Sequence, residues 1–164
     1  MTVLANLVIG LDGSTTSAGS SAKLSSQEDR RRFHELRKRA DVILIGGATA
    51  RNEPYQKSPV PLLVTSKFKE ITEISSNEKA EIINLDPVSS IKYAREKYGE
   101  AVLIEGGPNF LLEVIGEVDE LYITISSKSG DGQVVSFDGL TRNFIMEDME
   151  KIDQEIFYKF MQSR

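Results

Sequence analysis

The chain has 164 residues, a net charge of -5, no cysteine and a single histidine, His34. The lack of cysteine excludes disulfides, thiolate zinc sites and cysteine nucleophiles, and one histidine excludes a multi-histidine metal site. Proteins that bind nucleic acid usually carry a basic excess, so the acidic balance argues against that partner. No apolar run reaches the ~18 residues that a membrane span needs, and the apolar start lacks a charged leader region. We therefore expect one cytoplasmic domain over residues 1–164, with no bound metal.

The first two thirds of the chain alternate between apolar runs and helical patterns, as in a parallel α/β sheet. The apolar runs predict strands at 3–9, 42–45, 62–65, 82–85 and 102–104. Between them, helices are predicted at 25–40, starting with a capping box of Ser25 and Glu28, then at 48–52, at 89–98 closed by Gly99, and at 109–116 after Pro108. The polar loop 14–22 is either a linker or a mobile flap over a ligand.

The last third of the chain has a different pattern. Apolar runs at 121–125, 133–137, 144–149 and 156–160 predict strands with no helix between them. Successive strands without a crossover are antiparallel. The predicted fold class is therefore α/β in three layers, with a mixed, mostly parallel sheet, antiparallel C-terminal strands and helices on both faces.

Two strand ends carry the same glycine pattern. The run VILI at 42–45 is followed by GGAT, and the run VLIE at 102–105 is followed by GGPN. Glycine lets a backbone approach a ligand closely, and the start of a helix offers free N–H groups to an anion. Tight strand-to-helix turns need glycine in any case. Two matched turns at the carboxyl ends of parallel strands nevertheless favour a pyrophosphate-bearing cofactor lying across them.

Glu105 lies between a buried apolar run and the second glycine turn. A carboxylate there is either a solvated charge at a strand end or a group that points into the crevice. A buried carboxylate needs a partner, and amino groups of a ligand could supply one. We therefore predict that Glu105 binds ligand.

The first predicted helix carries a dense run of basic residues within an acidic chain. Most of them are expected to be solvated, but a local positive patch suits a phosphate. Arg37, near the end of the helix, is predicted to be the best placed for ligand contact, whereas His34 is expected to be structural. The basic residues are Arg30, Arg31, Arg32, Arg37, Lys38 and Arg39.

The segment Thr65-Ser66-Lys67 follows a buried apolar run. Hydroxyl groups and an ammonium at a strand end can bind the 2′-phosphate that distinguishes NADPH from NADH. An ordinary turn has the same composition, so both interpretations stay open. Within the whole chain there is no nucleophile elbow, no zinc-ligand spacing and no Walker-type phosphate loop.

Taken together, these residues resemble the reductase domain of riboflavin-biosynthesis deaminase-reductases, whose fold is like that of dihydrofolate reductase. The matching stretches span roughly residues 3–126 and follow one another in a specific order. They are LDG at 11–13, SAKLSS at 21–26, LR at 36–37, ADVIL at 40–44, GGAT at 46–49, EP at 53–54, EGGP at 105–108 and VDEL at 118–121.

The resemblance implies NADPH-dependent reduction of a phosphorylated ribosylaminopyrimidine, with hydride delivered to the sugar C1′ so that the ribosyl group becomes ribityl. It also implies a homodimer built through the sheet. Substrate contacts are implied at Ser21, Arg37 and Glu105, and no catalytic residue is assigned. Cofactor contacts are implied at Val8, Lys23, Thr49, Glu53, Thr65, Gly107, Pro108, Asn109, Phe110 and Leu111. The glycine turns and the strand end add Gly46, Gly47, Ser66 and Gly106.

The chain departs from the family pattern at several points. It lacks the zinc deaminase half, so deamination is expected to belong to a separate protein. The substrate is then either 5-amino-6-(5-phosphoribosylamino)uracil or the corresponding 2,5-diaminopyrimidinone. Lys23 stands where the family often has tryptophan, and the loop after Glu53-Pro54 lacks an arginine often found there.

Two other functions fit the same residues. A dihydrofolate or pterin reductase would need a carboxylate on the first helix facing the pterin, and Glu28 or Asp29 could serve. A non-catalytic nucleotide-binding module would leave the polar loop and Glu105 without a chemical task, and fold alone does not decide between these functions.

Overall fold

The computed structural model describes residues 2–164, and its eight strands form one mixed sheet in the order β4-β3-β2-β5-β1-β6-β8-β7. Strands β1 to β6 pair in parallel, whereas β8 runs antiparallel to both β6 and β7. The predicted mixed sheet is therefore confirmed. The strands are β1 (Thr2–Ile9), β2 (Val42–Gly46), β3 (Leu62–Thr65), β4 (Ala80–Ile83), β5 (Ala101–Ile104), β6 (Glu120–Ile125), β7 (Phe144–Ile152) and β8 (Glu155–Gln162).

Helices cover both faces of the sheet and build two separate cores. The central strands are apolar on both faces: Leu44 joins one core, while Ile43 and Ile45 join the other. Helices α1 and α2 pack on the second face and α3 and α4 on the first. In residues 2–164 no helix combines the length and the apolar character needed to cross a membrane. The helices are α1 (Gln27–Lys38), α2 (Gly47–Asn52), α3 (Pro87–Tyr98), α4 (Pro108–Val114) and α5 (Phe137–Thr141).

The start of α1 differs from the predicted capping box by one residue. Ser26 has the extended backbone of a capping residue, and its hydroxyl accepts a hydrogen bond from the Asp29 N–H at 3.0 Å. Ser25 instead donates its hydroxyl proton to the Asp29 carboxylate at 2.5 Å. The Glu28 carboxylate turns outward to Arg31 and Arg32. The shift matters for the site, because it buries Asp29 and leaves Glu28 on the surface.

The strand predicted at 133–137 is wrong. Only Val134 forms a bridge, with Ser14, and a helix begins at Phe137. The Ser136 hydroxyl accepts from the Gly139 N–H at 3.0 Å, so a capping interaction ends the extended segment. Helix α3 likewise begins earlier than predicted, at Pro87, with Asp86 as its capping residue. Strand β4 lies at 80–83, two residues before the predicted run at 82–85.

Strand β7 forms one edge of the sheet and pairs only with β8 among the described strands. Three of its large apolar side chains are largely solvent-exposed: Ile145 is 62% exposed, Met146 54% and Met149 52%. Exposed apolar edge strands are open to pairing with another chain.

Candidate active site

A cavity of about 550 Å³ opens where β2 and β5 end, between α1, the loop 14–22 and the starts of α2 and α4. Its size is typical of small-molecule sites. Five predicted site residues do not line it: Lys23 is exposed, Leu111 is buried in the core, and Gly47, Thr65 and Ser66 lie outside. The predicted residues that do line it are Val8, Ser21, Arg37, Gly46, Thr49, Glu53, Glu105, Gly106, Gly107, Pro108, Asn109 and Phe110.

Glu105 is buried at the cavity wall and is held by two other side chains. Its carboxylate accepts two hydrogen bonds from Arg37, Nε to Oε1 at 2.8 Å and Nη2 to Oε2 at 2.9 Å. The Tyr55 hydroxyl donates to Oε2 at 2.6 Å. The Glu105 side chain is 1% exposed and that of Arg37 is 13% exposed. The partner that a buried carboxylate requires is thus supplied within the protein, and the two predicted substrate contacts are bonded to each other.

The electrostatics of this cluster follow from its burial. Burial alone would lower the pKa of Arg37, but the hydrogen bonds and the charge of Glu105 outweigh that effect and raise it. Burial, the charge of Glu105 and the hydrogen bond to it raise the pKa of Tyr55 well above its usual value of 10.0. The Arg37 guanidinium also lies over the Phe33 ring, 4.3 Å from its centroid. Arg37 is therefore a fixed cation and Tyr55 a fixed hydrogen-bond donor.

The two glycine turns meet on one aromatic ring. A Cβ at Gly46 would come within 3.2 Å of the Phe110 ring, and one at Gly106 within 2.8 Å. The first glycine of each turn is thus required by Phe110, a side chain of the cavity wall. The second turn is also tied to the first, since the Gly107 N–H donates to the Thr49 hydroxyl at 3.1 Å.

The loop 14–22 is anchored to Glu53. The Ser20 hydroxyl donates to Glu53 Oε2 at 3.0 Å, and the Ser21 N–H donates to Oε1 at 2.7 Å. On its other side, the Thr15 N–H and hydroxyl both donate to the Gln133 carbonyl oxygen at 2.9 Å. The loop therefore covers the cavity as an attached segment and brings Ser21 to its wall.

The basic residues of α1 divide into two groups. Arg31, Arg32 and Lys38 form ion pairs on the outer surface. Arg30 and His34, like Arg37, instead line the cavity. His34, predicted to be structural, is not part of the core: its side chain is exposed on the wall of the cavity.

Two polar side chains, Ser66 and Arg51, meet at Gly47, whose chain neighbours Gly46 and Ala48 line the cavity. A Cβ at Gly47 would come within 3.0 Å of the Ser66 hydroxyl and 3.2 Å of Arg51 Nη1, so both groups converge there. The Thr65 hydroxyl donates to the Leu85 carbonyl oxygen instead. Arg51 was not predicted from the sequence, although it lies one helical turn after the first glycine turn, on the same short helix.

The structure also shows a site residue, Tyr55, that sequence reasoning missed. Tyr55 follows the recognised pair Glu53-Pro54, and its aromatic ring in a polar loop was the available signal. Of the two carboxylates that the sequence offered for a pterin reductase, Asp29 is buried and lines the cavity from the first helix, whereas Glu28 does not line it.

Comparisons with known proteins agree with this description. The family model described as the RibD C-terminal domain matches residues 1–158. The 2,5-diamino-6-ribosylamino-4(3H)-pyrimidinone 5′-phosphate reductase of Methanothermobacter thermautotrophicus is 43% identical over 44 residues, which are 27% of this chain and 20% of that protein. The matched segment thus covers only a small part of this relative.

Two solved structures share the fold. A pyrimidine reductase-like protein from Corynebacterium diphtheriae has a TM-score of 0.79 at 20% identity, covering 99% of this chain and 92% of its own. Dihydrofolate reductase from Enterococcus faecalis, complexed with NADP(H) and RAB-propyl, has a TM-score of 0.75 at 15% identity, covering 99% of this chain and 97% of its own. The expected likeness to the dihydrofolate reductase fold is confirmed. With the family model matching almost its whole length, this chain belongs to the RibD C-terminal domain family.

Proposed function

We propose that this chain is an NADPH-dependent reductase of riboflavin biosynthesis that converts the ribosyl group of a phosphorylated ribosylaminopyrimidine to ribityl. The observation that carries the proposal is the buried Glu105 carboxylate, fixed by Arg37 and Tyr55 on the wall of the cavity. The family membership and the named activity of the archaeal relative support the same reaction.

The residues around the cavity fit a nicotinamide dinucleotide phosphate. Glycine turns end two adjacent strands, β2 and β5, and the Thr49 hydroxyl lies between them. Arg51 and Ser66 converge beside Gly47, where they can bind a 2′-phosphate through charge-assisted hydrogen bonds. When bound, the cofactor supplies the hydride for the sugar C1′.

Glu105 is suited to orienting the pyrimidine. A carboxylate can accept about four hydrogen bonds, and Arg37 and Tyr55 already use three of these positions. The position that remains, on Oε1, can accept from one amino group of the substrate. Because Glu105 is fixed in advance, binding through it would hold the sugar in one orientation, which is the main contribution a protein makes to a cofactor-dependent transfer.

The loop 14–22 is suited to excluding water from the reaction. Its attachment to Glu53 and to the Gln133 carbonyl holds it over the cavity. Reduction at C1′ breaks the bond from C1′ to the ring oxygen, and that oxygen gains a proton. A covered site favours this product by keeping water from competing for the same carbon.

A second candidate function rests on Asp29. This carboxylate is buried on the first helix and lines the cavity, where a pterin reductase needs an acidic group, whereas Glu28 faces outward. One assay separates the candidates: the loss of NADPH absorbance is followed with the diaminopyrimidinone phosphate, with its deaminated uracil form, and with dihydrofolate. Turnover of dihydrofolate alone would reverse the proposal, and the ratio of the first two rates identifies the substrate.

Three further properties belong to the proposal. The chain acts as a single cytoplasmic domain, a separate protein performs the deamination, and two copies form a homodimer. The exposed apolar edge of β7 supports the dimer. Light scattering at micromolar concentration tests it, and a monomer throughout that range would contradict it.

A further inference from the structure

Two nitrogen-bearing side chains on the cavity side of α1, Arg30 and His34, lack a carboxylate partner within residues 2–164. Arg30 and His34 lie one helical turn apart and line the same wall. Neither forms an ion pair with a carboxylate of residues 2–164. Arg30 donates through Nε to the carbonyl oxygen of Ser26 in its own helix, at 3.4 Å, which leaves its two terminal nitrogens available.

The other arginine and lysine side chains of this helix form ion pairs with carboxylates. The contrast is sharpest for Arg37, which shares the cavity wall with Arg30 but donates through Nε and Nη2 to the buried Glu105. The other pairs are Arg31 and Arg32 with Glu28, Lys38 with Glu35, and, directly after the helix, Arg39 with Glu120.

The carboxylates of the cavity wall are held by other groups as well. Asp29 accepts from the Ser25 hydroxyl, and Glu53 accepts from the loop 14–22. Glu105 has Arg37 and Tyr55. Arg30 is therefore a cavity-lining cation without a carboxylate partner among residues 2–164, and the His34 imidazole one turn away can add an N–H donor to an anionic ligand.

We infer that Arg30 and His34 bind the phosphate group of the substrate, while Arg37 serves to hold Glu105. The identity of the phosphate ester rests on the proposed function. A guanidinium offers a planar fork of N–H donors that matches two phosphate oxygens, and an imidazole adds a further N–H. Both side chains are exposed to solvent, as suits the charged end of a ligand.

This assignment also orients the whole substrate. From Arg30 to Arg37 the helix advances by seven residues, or about 10 Å along its axis. That span is comparable to an extended pentose phosphate attached to a pyrimidine ring. The phosphate then lies beside the first half of α1, and the amino-bearing ring lies beside Glu105 at the carboxyl end of β5.

The test compares Arg30→Gln with Arg31→Gln, a matched control that removes the same charge one residue away on the outer surface, where Glu28 keeps Arg32 as its partner. KM is measured for the phosphorylated substrate and for its 5′-dephosphorylated form. Losing a charge-assisted contact corresponds to a roughly 10- to 100-fold rise in KM. We expect that rise in Arg30→Gln for the phosphorylated substrate alone, a smaller rise of the same kind in His34→Ala, and no change in Arg31→Gln.

A second measurement separates this inference from the proposed function. Ribose 5-phosphate, with ribose as its control, is titrated into each variant and followed by nuclear magnetic resonance. If the wild type binds ribose 5-phosphate through Arg30 but shows no reductase activity, the proposed function fails and the phosphate site stands. If reduction proceeds and Arg30→Gln behaves like Arg31→Gln, the phosphate site is wrong and the function stands. If Arg30→Gln raises KM equally for the phosphorylated and the dephosphorylated substrate, the phosphate assignment is also wrong.

Discussion

The two glycine turns look alike in sequence, yet they perform different tasks in the structure. In both, the first glycine makes room for the Phe110 ring. The turn after β2 then faces Arg51 and Ser66, whereas the turn after β5 is bonded to the first through Gly107. A repeated motif can thus reflect one shared packing requirement, while the surrounding residues differentiate the chemistry.

The two glycine turns also differ in the residue that precedes them. Ile45 precedes the first turn and is fully buried in an apolar core. Glu105 precedes the second and is also buried, but it carries a charge. The first turn therefore needs only packing, while the second depends on Arg37 and Tyr55.

The largest expected effect comes from removing the partner of Glu105. Arg37→Ala leaves a buried carboxylate without its cation and should lower the free energy of unfolding by ~3–5 kcal/mol. Arg39→Ala, which breaks the half-exposed pair with Glu120, should cost only ~0–1 kcal/mol. Urea unfolding followed by circular dichroism measures both, and equal losses would contradict the dependence of the second turn on Arg37.

A double variant sharpens the same point. The pair is replaced together, Arg37→Met with Glu105→Leu, in a Tyr55→Phe background, so that no buried hydroxyl loses its acceptor. Both charges are removed and apolar volume is kept, so most of the stability should return while substrate binding is lost. If the double variant is as unstable as Arg37→Ala, packing and not charge accounts for the loss.

The next effect concerns the first turn. Arg51→Gln should weaken NADPH binding by roughly 10- to 100-fold, because the variant removes the charge-assisted contact proposed between Arg51 and the 2′-phosphate. NADH binding should not change, and neither cofactor should respond to Arg142→Gln, an exposed arginine outside the cavity. Calorimetry gives the affinities. A parallel loss of NADH affinity would mean that Arg51 does not read the 2′-phosphate.

A smaller loss of stability should distinguish Gly46 from Gly106, the first glycine of each turn. The Cβ of Gly106→Ala would meet Phe110 at 2.8 Å, and that of Gly46→Ala would meet it at 3.2 Å. Overpacking of this kind costs ~1–3 kcal/mol, so Gly106→Ala should lie within that range and Gly46→Ala below it. Adding Phe110→Leu should recover part of the loss in Gly106→Ala. If Phe110→Leu restores no stability to Gly106→Ala, Gly106 is required by the backbone conformation and not by the Phe110 ring.

The smallest effect appears at alkaline pH. The pKa of Tyr55 is raised in the folded state, so its contribution to stability is complete below the unfolded value of 10.0 and is lost above it. The stability difference between the wild type and Tyr55→Phe should therefore stay constant from about pH 8 to pH 10 and then fall by up to about 1.4 kcal/mol per pH unit. A difference that already declines near neutral pH would contradict the buried position of the hydroxyl.

Much of the fold could be predicted because buried parallel strands are continuous apolar runs. Leu62–Thr65 was predicted to the residue, and the turn residues around Gly99 and Pro108 mark real helix ends. The segment 133–137 failed because the apolar pair Val134-Val135 has the composition of a strand, while the capping hydroxyl of Ser136 favours a helix start. Local composition does not say which of these two signals prevails.

The site was less predictable, since its contacts join distant parts of the chain. The sequence indicated Glu105 and Arg37 as separate ligand contacts, but their bond spans 68 positions and that of Tyr55 to Glu105 spans 50. Pairing of this kind follows from the sheet order, which places the end of β5 opposite α1. A charged residue can be recognised in a sequence, but its partner becomes visible only when the strands are arranged in space.

The position of β8 has a consequence for synthesis on the ribosome. This strand comes last among those described, yet it lies between β6 and β7 and is the only partner of β7. Until residues 155–162 emerge, one side of β6 and the whole of β7 remain without backbone partners, and the apolar faces of both are open to neighbouring nascent chains. The sheet is therefore completed from its interior once β8 is available, and a truncated chain that ends before residue 155 should expose the segment 144–152 to protease.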